Sequence, residues 1–375
     1  MTQLFSPFSL RGLELSNRIV VSPMCQYSAQ DGCATEWHQA HLGSLALSGA
    51  GLLCIEATAV TAEGRITPGD LGLYSDANEE ALAAILRMIR AVAPIRVALQ
   101  LAHAGRKGSS RAPWNGGQQL AGSEGAWTAE APSAVPHAAG ETAPRALDRA
   151  DLGRLRTAFA NAAARAARLR IDALELHAAH GYLLHEFLSP VANRRTDEYG
   201  GSLENRLRFP LEVFDAVRAE FPADRPVGVR ISATDWLEEV TPEPSWTIEQ
   251  SLAFARALKA RGCDWIDVSS GGVSPLQKIK PEPGYQVPFA EIVRNETGLA
   301  TIAVGLITEP RQAEAIVAEG RADLVALARA MLLDPRWPWR AALELGGTIA
   351  APRPYWRALP REAGAIFGPL SFGQR

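Results

Sequence analysis

Residues 151–182 read DLGRLRTAFANAAARAARLRIDALELHAAHGY. The first twenty carry Leu152, Leu155, Phe159, Ala162, Ala166 and Leu169 at helical spacing, with arginine and other polar residues on the opposite face. A short apolar run follows at 173–177, too brief for a helix and flanked by polar residues, which reads as a strand. Just past it stand His177, His180 and Tyr182. Helix, then strand, then polar residues at the strand's C-terminal end is one αβ unit carrying its chemistry where parallel sheets carry it.

The same unit recurs on both sides. Apolar runs at 19–22, 51–57, 95–101, 227–231, 265–269, 301–304 and 324–328 bring the strand count to eight. Their apolarity is continuous rather than alternating, as in strands covered on both faces. Helical patterns at 38–47, 79–92, 203–220, 249–261, 289–296, 310–319 and 335–345 join 151–170 and alternate with the strands. Thr308 or Glu309 ahead of Pro310 marks a helix start. Eight βα units predict an α/β protein with a (β/α)8 TIM barrel, one domain spanning 1–375. Two segments fall outside the pattern. A Gly-, Pro- and Ser-rich insert follows the third strand at about 104–149 and is expected over the C-terminal face; a Pro-containing tail occupies about 350–375.

Composition narrows the function classes. The 375 residues are 47% hydrophobic and 21% charged, with formal net charge −3, so a basic surface for nucleic acid is not expected. No run of eighteen apolar residues predicts a membrane span, and no signal peptide is legible at the N-terminus, which points to the cytoplasm. Cys25, Cys33, Cys54 and Cys263 match no zinc spacing and are expected as free thiols, Cys54 and Cys263 as small buried hydrophobes.

Polar residues collect at the strand ends: Cys25 to Tyr27 after the first, Glu56 and Ala57 on the second, Gln100 on the third with Arg106 and Lys107 beyond, Arg230 on the fifth, Ser269 and Ser270 on the sixth, Gly305 after the seventh, Arg329 after the eighth. The pair His177 and His180 admits three readings. A zinc site lacks a third ligand at suitable spacing. Two structural histidines satisfied by backbone is the second. Two imidazole N–H donors on one substrate oxygen is the third, with Tyr182 supplying a proton to carbon. Gly305 and Arg329 suggest a phosphate site, the alternative being a turn and a surface charge. No GxGxxG follows a strand, so a Rossmann site is not supported.

Four stretches taken together resemble the Old Yellow Enzyme family of FMN-dependent ene-reductases, closest to its bacterial, cysteine-containing, thermophilic-like subclass of NADPH dehydrogenases. They are PMCQYSAQDG at 23–32, QLAHAGRK at 100–107, HAAHGYLLHEFLSPVANRRTDEYGGSLENRLRF at 177–209, and the GRAD…ALAR region at 320–329. The resemblance implies an FMN cofactor and NADPH, or NADH, as hydride donor. It implies that Ser22, Pro23, Met24, Cys25 and Ala57 line the flavin, that Gln100 bonds its pyrimidine ring, and that Arg230 lies near N1–C2. Gly305, Ala328 and Arg329 would hold the phosphate. His177 and His180 would bind the activating oxygen of an enone or nitro substrate, Tyr27 would add a hydrogen bond, and Tyr182 would donate the proton. Trp356, or Arg357, would reach the site of a neighbouring subunit in a homo-oligomer, a dimer or tetramer, with local tail packing as the other reading. The family often has Gly where Ala328 stands, and some members have Trp where Gly305-Leu306 stands. A flavin-free barrel, such as an aldolase or metal-dependent hydrolase, would need a Schiff-base lysine or a complete metal set; Lys107 is the only lysine near the third strand end. A barrel that only binds FMN or phenols stays open. Relatives with an iron–sulfur cluster are disfavoured by four scattered cysteines.

Overall fold

The computed structural model describes residues 2–360, 363 and 366–368. Eight parallel strands close into a barrel in chain order: Ile19–Val21, Leu52–Ala59, Arg96–Ala102, Ala173–Ala178, Val227–Ser232, Trp265–Ser269, Ala300–Ala303 and Leu324–Leu327, the last pairing with the first. All eight lie within a residue or two of the runs expected from sequence. The second strand, LLCIEATA, is buried along its whole length, as a strand between a barrel interior and a helical coat must be.

The helical coat carries the expected eight helices, with differences at their ends. The second begins at Asp76, three residues earlier than periodicity suggests, because Ser75 Oγ accepts from the Asn78 amide and caps a polar first turn. The eighth begins at Trp337. The helix at Pro310–Ala318 does start behind Glu309. Two short helices, Leu183–Leu188 and Arg329–Leu333, follow the fourth and eighth strands and were not expected; neither is long enough to show a period. No helix among the described residues is long and apolar enough to cross a membrane.

The barrel interior is divided by polarity. At its N-terminal end a hairpin not expected from sequence, Phe8–Leu10 with Leu13–Leu15, puts Leu10, Leu13 and Leu15 against Leu52, Ala98, Trp265 and Leu324 as an apolar plug. Above the plug the third to sixth strands turn Gln100, Glu175, Arg230 and Asp267 inward, all buried. Gln100 is level with Glu175, and Asp267 with Arg230. Trp265 fits below them only because Gly228 on the adjacent strand has no side chain: a Cβ there would lie 2.0 Å from the indole. Gly228→Ala therefore has no soft neighbour to displace and should destabilise the fold by about 1–3 kcal/mol; unchanged urea denaturation would remove this packing argument.

Candidate active site

The site begins with two backbone turns. Beyond the fourth strand His180 (φ +57°) and Gly181 (φ +72°) are left-handed, and beyond the sixth so are Gly271 (φ +70°) and Gly272 (φ +98°). The turns touch: a Cβ on Gly272 would sit 2.4 Å from His180 Cα, and one on Gly181 would sit 2.3 Å from the Gly272 carbonyl oxygen. Lys107 Nζ bridges them, donating to the carbonyls of His180 and Gly272, each at 2.8 Å. Ser232 Oγ accepts from the His180 amide at 2.9 Å and donates to the Gly271 carbonyl at 2.7 Å. A left-handed histidine is strained, and it is held here from three neighbouring strand ends.

These supports aim two ring nitrogens at one place. The Ala179 amide donates to His177 Nδ1 at 3.2 Å, so the proton of neutral His177 sits on Nε2. His180 Nε2 lies 2.7 Å from Ser269 Oγ. That hydroxyl donates to Gln286 Oε1 at 3.3 Å, so it accepts from His180 and the His180 proton sits on Nε2. His177 Nε2–H then donates to His180 Nδ1, 3.3 Å away. Burial, then the charge of Arg230, holds both imidazoles well below the usual histidine range, so both are neutral at neutral pH. The Tyr182 ring packs edge-on against His177 with centroids 4.9 Å apart, and Lys107 Nζ lies 5.4 Å from its centroid. Burial pushes the Tyr182 phenol well above its ordinary value, which keeps its proton in place at neutral pH.

Around this pair the barrel mouth gathers most of the residues singled out from sequence. A cavity of about 180 Å³ is lined by Tyr27, Thr67, Lys107, Arg111, His137 and Tyr182, so the insert after the third strand does border the site. Cys25 is half-buried, close to the Ala57 amide and the Tyr27 hydroxyl, and burial raises its thiol. Ala57 sits where the pairing of the second and third strands shifts register, between Ile55 and Thr58. Ser22 is buried, its amide donating to Leu327 at 3.0 Å, which ties the Pro23-Met24 segment to the eighth strand. Gly305 (φ +124°) occupies a backbone conformation suited to glycine. Ala328 caps the helix that Arg329 opens, and Arg329 is exposed with no ion pair among the described residues. Trp356 is not brought to this mouth within one chain: its indole donates to the Ala351 carbonyl at 3.1 Å, and Arg353 stacks on its ring. Arg357 is exposed on the same turn, and the rest of the expected tail, 361–362, 364–365 and 369–375, lies outside the described residues.

Several supporting residues were not singled out from sequence. Ser232 lies on a strand and gave no signal. Lys107 stands out in the sequence as a polar residue beyond the third strand and as a Schiff-base candidate, but its bridge between two loops is not legible there. Glu175 and Asp267 did carry one: a carboxylate inside an apolar strand, as in ALELHA and WIDVS, has to have a partner.

Residues 3–346 match the family model described as the NADH:flavin oxidoreductase / NADH oxidase family. An NADPH dehydrogenase of Geobacillus sp. (strain WCH70) is 46% identical over 358 residues, 95% of this chain and 98% of that protein. Among solved structures, morphinone reductase in complex with tetrahydroNAD superposes with a TM-score of 0.75 at 29% identity, over 94% of this chain and 93% of its own. An old yellow enzyme homologue from Zymomonas mobilis gives a TM-score of 0.74 at 25% identity, over 93% and 94% of the two chains.

Neutral histidines have a direct signature. In NMR spectra of the protein the His177 and His180 ring resonances should stay flat between about pH 6 and 9, since both titrate below the ordinary value of about 6.5. A midpoint near 6.5 for either would contradict the buried, neutral pair.

Proposed function

The chain belongs to the NADH:flavin oxidoreductase / NADH oxidase family and is an FMN-dependent oxidoreductase served by a nicotinamide donor, and on that premise we propose that it is an ene-reductase for the activated C=C bond of α,β-unsaturated carbonyl or nitro compounds. FMN, when bound, relays hydride from NADPH or NADH to the electron-poor carbon of a substrate that takes the nicotinamide's place in a ping-pong cycle. The residues at the barrel mouth fit such a group. Arg230 has a buried Nε with no hydrogen-bond partner, 3.3 Å from Asp267 Oδ2 but not aligned with it, and so keeps cationic capacity for an electron-rich ring. Gln100 supplies an amide beside it, the 22–25 segment and Ala57 a wall, and Gly305, Ala328 and the exposed Arg329 the phosphate end.

The observation that carries the reading is the convergence of His177 Nε2 and His180 Nδ1, 3.3 Å apart, beside a protonated Tyr182. A substrate oxygen entering here would replace the hydrogen bond between the two imidazoles; with the His180 proton on Nδ1 and Ser269 turned to donate to Nε2, two neutral N–H groups on one carbonyl or nitro oxygen draw electron density from the conjugated carbon and stabilise the oxyanion that develops there. Tyr182 then protonates the carbon next to the activating group. Lys107, close to the Tyr182 ring, offsets the negative charge left on the phenolate. Tyr27, which lines the same cavity as Tyr182, adds a hydrogen bond. Trp356 would join the substrate contacts only from a neighbouring chain.

Single-turnover kinetics separate these roles. In the His177→Ala/His180→Ala double variant the enone half-reaction should fall ~10²–10³-fold and phenol binding should weaken; wild-type enone turnover would sink the assignment. Tyr182→Phe should slow oxidation by the enone while sparing reduction by NADPH. Equal slowing of both half-reactions would remove Tyr182 as the proton donor.

A further inference from the structure

Beneath the proposed flavin site a carboxylate lies where packing alone would favour a hydrocarbon. Glu175, on the fourth strand, is 2% exposed. Gln100 Nε2 donates to its Oε1 at 2.8 Å, and Trp265 Nε1 lies 3.3 Å from its Oε2. The indole reaches it only because Gly228 leaves room. Three strands and a glycine on a fourth thus converge on one buried carboxyl, at a desolvation cost that an apolar residue would avoid.

A carboxylate only accepts hydrogen bonds. It can hold Gln100 by its NH₂ group alone, because flipping that amide would set two acceptor oxygens face to face. We infer that Glu175 is a positioning residue for the cofactor, locking the Gln100 amide so that Oε1 and the second N–H stand side by side toward the imide edge of the flavin pyrimidine. This rests on the proposed pairing of Gln100 with that edge, where an N–H donor and a C=O acceptor are adjacent and match the pair in one orientation of the amide.

The charged and titratable groups facing Glu175 are Cys54 from the second strand, Arg230 from the fifth and Asp267 from the sixth. Burial, with Asp267 adding to it and Arg230 opposing, pushes Glu175 up to about 7, and burial raises Asp267 too. Once protonated, Glu175 carries an O–H that must donate, and Gln100 Oε1 is the acceptor within reach if the amide turns over. Gln100 would then set its N–H against the N–H of the flavin imide and its oxygen against the imide carbonyl. Flavin affinity should therefore be full above about pH 7 and fall as the pH drops through it.

The test is flavin titration of the full-length chain freed of its cofactor, followed by flavin fluorescence. Riboflavin is the probe for the pH profile because it lacks the phosphate, whose own ionisation would mask the effect. From pH 8 to 6 riboflavin should bind about tenfold more weakly to the wild type, the worth of one hydrogen bond. Glu175→Gln should show a flat profile and hold FMN about tenfold more weakly at pH 8, since its NH₂ group replaces one of the two oxygens and sets an N–H against that of Gln100 or Trp265. A flat wild-type profile overturns the inference even if the variant does not fold. So does a Glu175→Gln protein with wild-type affinity and profile. Gln100→Leu separates the two layers: if it leaves FMN binding unchanged, the pairing of Gln100 with the flavin fails; if it weakens FMN and Glu175→Gln does not, only the role of Glu175 fails.

Discussion

The site depends on a contact between two loops in left-handed conformation. His180 and Gly181 after the fourth strand meet Gly272 after the sixth at distances that exclude any side chain on either glycine. The Lys107 ammonium and the Ser232 hydroxyl bind both loops together. Without this clamp His180 would have no reason to hold a positive φ, and its Nδ1 would not face His177 Nε2. The proposed catalytic arrangement is thus fixed by backbone carbonyls and hydroxyls from strand ends that are distant in sequence, which is how a barrel gives precision to residues carried on loops.

Burial then sets the protonation states that the proposed chemistry needs, and in opposite senses. A buried imidazole loses its proton easily and a buried phenol keeps one. The same low-polarity mouth therefore yields neutral imidazoles at His177 and His180 and an intact O–H at Tyr182. Lys107 follows the first rule, its ammonium pushed down to about 8, and still supplies charge near Tyr182 at neutral pH. One polar layer below, Gln100, Glu175, Arg230 and Asp267 give the barrel a hydrogen-bonding floor above an apolar plug.

The barrel was legible because continuous apolar runs alternate with amphipathic helices, and that pattern answers to burial alone. Polar residues at strand ends were legible for the same reason: nothing in a covered strand calls for His177, Gln100 or Arg230 unless a site does. The hairpin plug was not, because three-residue strands leave no measurable period and Leu10, Leu13 and Leu15 look like any apolar residues. The clamp was not, because Lys107, Ser232 and Gly272 act through main-chain geometry that no side-chain pattern encodes. The polar layer lay between these cases: Glu175 and Asp267 interrupt apolar strands visibly, but only the structure pairs them with Gln100, Trp265 and Arg230.

The central claim, that FMN is carried on this barrel for reduction of an activated double bond, meets its most direct test in one anaerobic absorbance trace of the purified protein, with NADPH added first and 2-cyclohexenone second. A flavin band that bleaches with NADPH and returns with the enone is the expected result. A band that bleaches and is not restored by the enone would contradict the ene-reductase reading while leaving the flavin site intact, and a protein that stays colourless after FMN is supplied would contradict both.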